Sequence, residues 1–151
     1  MTVNLEDFSR LAEQQRPEGL VVVSATRADG SVQASLVNAG VLEHPGDGTP
    51  VVGLVVRGNA LKLRLLRRRP AAAITVQHGW QWVTVEGPAE LVGPDDPHPD
   101  LVPADVPGLL RTVFMAAGGT HDDWPTYDRV MADERRTAVL VRPQRVYGVV
   151  R

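Results

Sequence analysis

Residues 19–42 read GLVVVSATRADGSVQASLVNAGVL, two β-rich runs separated by Arg27-Ala28-Asp29-Gly30. An Asp-Gly pair between such runs is a strong hairpin signal, because glycine supplies the positive φ that a tight turn requires. The pattern predicts an antiparallel pair, and the rest of the chain is read outward from it. Upstream, Leu5, Phe8, Leu11 and Ala12 recur at helical spacing behind Asn4, a candidate N-cap. Pro17 and Gly19 mark the end of that pattern, so a short amphipathic helix is expected to plug one end of the core.

Downstream, residues 43–50 (EHPGDGTP) concentrate glycine and proline and read as a turn, and 51–57 (VVGLVVR) as a third strand. Residues 59–69 read as a helix capped by Asn59 and stopped by Pro70, with arginines gathered at the C-terminal end where the dipole favours cations. Residues 71–91 (AAAITVQHGWQWVTVEGPAEL) predict two strands joined near His78-Gly79. Trp80, Trp82 and Thr84 alternate with Gln81, Val83 and Val85 along the second of them. Residues 93–107 carry too many prolines for helix or central strand and read as an irregular surface loop. Two further helices follow, one over LLRTVFMAAGG (109–119) and one from Asp122-Asp123 to about Glu134, and the chain closes as two strands bent at Arg142-Pro143. Strands outnumber helices and their connections are tight. The expected architecture is therefore mainly β with helices, a six- to seven-stranded antiparallel split β-barrel in a single domain spanning 1–151.

Composition narrows the function. A net charge of −2 offers no general attraction for nucleic acid or acidic membranes. With no cysteine, disulfides, thiolate metal sites and thiol nucleophiles are excluded, and with no apolar run of signal-peptide or membrane-spanning length a cytoplasmic location is expected. His44, His78, His98 and His121 show no ligand-like pair spacing, so no metal site is expected. There is no Gly-x-Ser-x-Gly elbow, Rossmann fingerprint or Walker A loop, and no residue is assigned a catalytic role. What stands out is cationic. Lys62, Arg64, Arg67, Arg68 and Arg69 crowd one helix directly after a strand, which suits a phosphate, although the arginines equally complete the macrodipole as solvated side chains. Lys62 lies in the first turn, where a cation opposes the dipole and calls for an anion. Trp80 and Trp82 present an aromatic face that either stacks on a planar ring or packs in an interface. Such a domain can serve as an enzyme when a cofactor carries the hydride.

Segments 21–37 (VVVSATRADGSVQASLV), 60–76 (ALKLRLLRRRPAAAITV), 79–91 (GWQWVTVEGPAEL) and 120–148 together make the chain resemble the pyridoxamine 5′-phosphate oxidase-like split barrels, and within them the actinobacterial group that binds the deazaflavin coenzyme F420. The resemblance implies a homodimer with the cofactor in a cleft at its interface. It implies a phosphate-binding role for Lys62, ring contacts from Ser35, Leu36 and Val37 on the second strand and from Val55, Val56 and Arg57 at the end of the third, and a place for Trp80 beside the cofactor. It also implies hydride transfer from reduced F420 to a small organic substrate. Ala60, Leu65 and Leu36 stand where close relatives carry arginine, asparagine and asparagine. FMN is accordingly the alternative cofactor, and a non-catalytic cofactor-binding or sequestering protein the alternative from another class.

Overall fold

The protein is described by a computed structural model over residues 2–16 and 19–151. Helix α1 (Leu5–Gln14) begins at Asn4, whose side chain accepts the Asp7 N–H while the Asp7 carboxylate accepts the Asn4 N–H, a reciprocal capping box. Phe8 and Leu11 are fully buried, and the helix packs on β5 (Ala71–His78) and β6 (Gln81–Val92). Pro17, expected to close this helix, lies outside the described residues.

Strands β1 (Leu20–Thr26) and β2 (Val32–Asn38) form the expected hairpin. The Arg27 carbonyl accepts the Gly30 N–H at 3.0 Å, Gly30 takes φ 86°, and the Asp29 carboxylate accepts both the N–H and the hydroxyl of Ser31. This is a three-residue loop closed by a left-handed glycine. The expected count of six to seven strands is corrected to eight. The second run of the hairpin breaks at the buried Ala39 into β2 and β3 (Gly40–Glu43), because β2 pairs with β1 whereas β3 pairs with β4 (Pro50–Val56). Strands β7 (Thr137–Val141) and β8 (Arg145–Val149) complete the set.

All pairings are antiparallel, in the order β2-β1-β5-β6-β7-β4-β3 with β8 beside β6. The sheet is open: among the described residues no ladder joins β2 to β3. Helix α2 (Leu61–Arg68) covers one part of the inner face through the buried Leu63 and Leu66. Helices α3 (Val106–Ala116) and α4 (Trp124–Asp133) belong to a second cluster that covers the other side of β4 and β7. Hence every residue of β7 is buried, Val139 and Val141 toward the first cluster and Ala138 and Leu140 toward the second. A strand covered on both faces reads as an unbroken apolar run, which is what TAVLV and VVGLVV are.

Three further expectations are corrected. The 93–107 segment is not wholly irregular: it carries bridges Gly93–Asp96 and His98–Leu101 and a 3-10 turn (Pro103–Asp105), and Val106-Pro107 already belongs to α3. Proline is accepted there because the first helical N–H groups have no intrahelical partner. Trp80 does not sit on the β6 face with Trp82 and Thr84. It occupies the β5–β6 turn and is 84% exposed. Asn59 does not cap α2. The N-cap is Ala60, and no side chain bonds the helix start. No helix among the described residues is long and apolar enough to cross a membrane.

Strand β6 changes neighbours at Gly87-Pro88. Its first part pairs with β5 and β8, and from Ala89 onward it pairs with β7. The chain passing from β7 to β8 crosses over this corner, with the Arg142 N–H donated to the Pro88 carbonyl and the Gln144 N–H to the Glu86 carbonyl, both at 2.9 Å. A Cβ at position 87 would lie 1.9 Å from the Arg142 carbonyl oxygen. Gly87→Ala must therefore push two backbones apart, and a loss of about 3 kcal/mol or more is expected, read as a lowered denaturant midpoint. A midpoint within about 0.5 kcal/mol of wild type would show that this crossing is not a fixed point of the fold.

Candidate functional site

The best-defined cavity, about 610 Å³, opens where β2, the end of β4 and the start of α2 face the ends of α3 and α4. That volume suits a cofactor-sized ligand. Of the residues expected to bind cofactor, Leu36, Val37, Val55, Val56, Arg57 and Lys62 line it. Ser35 and Trp80 do not. Ser35 faces inward from β2, and its hydroxyl is buried without a hydrogen-bond partner, as is the Gln33 amide oxygen on the same face. Much of the remaining wall comes from residues to which sequence reasoning assigned no binding role: Phe114, Tyr127, Met131 and Arg136, with the Gly118-Gly119 turn between the helices.

Electrostatically the cavity inverts the whole chain. Arg57, Lys62 and Arg136 line it, and no carboxylate does, in a protein of net charge −2. Lys62 projects from the first turn of α2, half-buried, with no ion-pair or hydrogen-bond partner among the described residues. Burial pushes its ammonium below the ordinary lysine value. The helix start beside it has neither a side-chain cap nor an acidic residue in its first turn; the Leu63 N–H turns back to the Ala60 carbonyl at 3.2 Å, and the positive end of the dipole faces no carboxylate. The arginines farther along α2 behave differently. Arg67 holds Asp96 with two bonds of 2.9 and 2.8 Å and thereby ties the helix to the 93–107 segment. Arg57 pairs with Glu134 across the cavity rim, where the Gly58 N–H also reaches the Glu134 carbonyl at 3.1 Å.

The aromatic wall is a packed cluster of rings. The rings of Phe114 and Tyr127 lie 5.0 Å apart, and Trp124 stands edge-on to Tyr127 at 5.2 Å and to Phe114 at 6.3 Å. The Tyr127 hydroxyl donates to the Leu110 carbonyl, and burial pushes its phenol upward, so the wall stays neutral.

Away from this cavity, two of the histidines that show no ligand-like spacing in sequence come together in space. His44, Glu90 and His98 have ligand atoms within 4.8 Å of one another. Both imidazoles donate from Nε2 to the same Glu90 oxygen, at 3.1 and 2.6 Å, while their Nδ1 atoms accept the backbone N–H groups of Gly46 and Asp100. Those backbone donors fix the proton on Nε2 and leave no lone pair there for a cation. Arg142 takes the other Glu90 oxygen and also reaches Asp47. The cluster is a clamp joining the β3–β4 turn, β6, the 93–107 segment and the β7–β8 bend. Burial is the largest influence on the Glu90 carboxyl and would raise it, but the hydrogen bonds from His98, Arg142 and His44 together outweigh burial and bring it down to about 2.

The eight-stranded antiparallel sheet with its covering helices is a fold shared with solved proteins that include one related to pyridoxamine 5′-phosphate oxidase. No protein-family model and no curated protein matches the sequence. Among solved structures, the chain is similar to a conserved hypothetical protein from Mycobacterium tuberculosis (TM-score 0.69, 18% identity, 98% of this chain and 85% of that one). It is similar to a pyridoxamine 5′-phosphate oxidase-related, FMN-binding protein from Nostoc punctiforme (TM-score 0.64, 13% identity, 98% and 86%). It is also similar to an F420 reductase (TM-score 0.57, 17% identity, 85% and 88%).

The clamp makes a pH prediction. A carboxyl held below its unfolded value stabilises the fold fully above about pH 4.5, and that contribution is lost as pH falls toward 2. Glu90→Gln should therefore unfold at lower temperature at pH 7, by about 2 kcal/mol for the donors left without a carboxylate, and lose less further stability on acidification. Parallel curves for variant and wild type between pH 5 and 3 would remove Glu90 from acid sensitivity.

Proposed function

We propose that this protein is an oxidoreductase that holds the phosphate of a deazaflavin, coenzyme F420, at Lys62 and the α2 N-terminus, and positions the cofactor ring for hydride transfer to a small organic substrate. The observation that carries this reading is the unpartnered, half-buried Lys62 beside an uncapped helix start in a cavity without carboxylates. The solved proteins of similar fold include an F420 reductase and an FMN-binding protein, which supports a flavin or deazaflavin in general. When bound, such a cofactor supplies the hydride chemistry. The chain's own part is binding, orientation and exclusion of water. Lys62 and the first N–H groups of α2 neutralise the phosphate. Leu36, Val37, Val55 and Val56 offer an apolar bed to a ring, and the Phe114-Tyr127 wall keeps water from the opposite side. No side chain in the cavity is placed as a covalent catalyst.

FMN is the second reading, and Ala60 favours it. Ala60 lines the cavity as the α2 N-cap, at the position where the resemblance places an arginine, and a flavin phosphate needs only Lys62 and the helix start. A non-catalytic cofactor-binding protein would use the same contacts without turnover.

The proposed assembly is a homodimer working in the cytoplasm. On the outer face of the sheet, Leu36 lies opposite Val22, Val22 opposite Thr75, Thr75 opposite Thr84 and Thr84 opposite Tyr147. Leu36 is 65% exposed, and Leu20, Val22, Tyr147 and Val149 are also exposed, so apolar side chains at the two ends of this row, either side of the buried Thr84, face water in one copy. Leu36 belongs to both the row and the cavity rim, which would let a second copy close the site.

Two measurements test this. Titration with F420 and with FMN, followed by their distinct visible bands, is expected to give a dissociation constant below about 100 μM for one of them, roughly −5.5 kcal/mol, and Lys62→Ala is expected to weaken it at least tenfold. If neither cofactor binds at that level, the oxidoreductase reading fails. Light scattering is expected to show a dimer that Leu36→Asp converts to monomer with loss of cofactor affinity; a monomeric wild type would remove the interface.

A further inference from the structure

We infer that the α3–α4 side of this cavity is a second anion subsite, centred on Arg136, which receives the carboxylate of a planar, conjugated substrate lying against Phe114 and Tyr127. The inference deepens the cofactor reading and rests on it for the assignment of the bound anion to substrate. Arg136 follows α4 in a Schellman ending: its N–H bonds the Met131 carbonyl at 2.9 Å, and the Arg135 N–H bonds that of Ala132 at 3.1 Å. Arg135 takes the left-handed position, φ 50°, usually given to glycine, and both its Nε and its Nη2 bond the Asp95 carboxylate. The backbone that carries Arg136 is thus fixed on both sides.

The side chain is not used up by the fold. Its Nε is buried with no hydrogen-bond partner, and its one terminal contact, to Glu134, is long, 3.4 and 3.5 Å to the two oxygens. Glu134 is already engaged by Arg57. With Nε out of a ligand's reach, the end of the guanidinium remains: among the described residues Nη1 has no partner and Nη2 only the long contact, and their two N–H groups form a planar pair that matches a carboxylate with two parallel bonds. Lys62 and the α2 start account for one anion, and Arg136 lines the same cavity from the opposite elements. The neutral rings of Phe114 and Tyr127, 5.0 Å apart and tilted 46° to one another, line the same cavity, as does Met131. A cation beside aromatic faces selects a flat molecule with an acidic end.

Benzoate and benzamide, of equal shape and different charge, are suitable probes. Calorimetric titration of the full chain, first without cofactor and then saturated with whichever of F420 or FMN it binds, is expected to show benzoate binding at least tenfold tighter than benzamide in both states. Arg136→Gln should abolish that preference while leaving cofactor affinity within about twofold, and Arg136→Lys should restore part of it. Glu134→Gln, which removes the competing carboxylate, should tighten benzoate severalfold, a gain that a purely structural Arg136 would not give. Equal binding of the two probes, no binding of either, or an unchanged preference in Arg136→Gln overturns the subsite. Displacement of the cofactor by benzoate overturns its assignment to substrate, because the anion would then belong to the cofactor's own footprint. Selective benzoate binding in a chain that takes up neither cofactor would support the subsite while the oxidoreductase reading fails.

Discussion

The crossing at Gly87-Pro88 is the constraint from which the rest of this structure follows. One strand, Gln81–Val92, has to serve two sheets, so its edge must pass from β8 to β7 without leaving backbone groups unpaired. The connection through Arg142 and Gln144 does this by bonding the Pro88 and Glu86 carbonyls as it turns. Proline lacks an N–H, which is tolerable where the partner changes, and glycine alone admits the carbonyl that crosses over it. The His44-Glu90-His98-Arg142 clamp sits immediately beyond the same corner. It links the β3–β4 turn and the 93–107 segment to the bend, which turns a local crossing into a fixed relation among four parts of the chain.

That fixed relation places the cavity. Because β7 is held between β6 and β4, the end of β4 and the turn before β7 meet, and Gly58 bonds the Glu134 carbonyl there. Arg57 and Lys62, on the β4–α2 connection and in α2, are joined by Arg136 from the turn before β7 as a result of that meeting. Nothing in their sequence spacing announces it. The concentration of charge is also local in sign: the long arginine run on α2 is partly spent on Asp96, whereas the isolated Lys62 keeps its charge unopposed. Density of charge along the chain and availability of charge in space are different quantities, and binding depends on the second.

The parts of this fold that were legible in the sequence are those governed by local physics. Asp29-Gly30 announced its turn because the required φ is a property of glycine itself. Helix α1 was legible through Asn4 and its apolar spacing, and β7 and β4 through runs with no polar interruption. The misread features depend on partners distant in sequence. Ala39 marks no turn, yet β2 and β3 separate there because they join opposite ends of the sheet. Trp80 continues the period-two pattern of Trp82 and Thr84, but the hairpin closes one residue later than the pattern suggests. His44 and His98 looked unrelated because their shared carboxylate lies on a strand between them.

Asn59 and Ala60 show how such a misreading bears on the site. A capping asparagine would have satisfied the α2 start from within, and the helix would have had less call for an anion. With Ala60 at the cap no side chain neutralises the helix start, and the cation at position 62 strengthens rather than relieves the positive field. That arrangement costs stability unless something anionic is bound, since half-buried positive charge and unused N–H groups both lose hydration on folding. A helix capped by its own sequence and a helix left without a side-chain cap are alternatives in the same free-energy balance, and α2 is of the second kind.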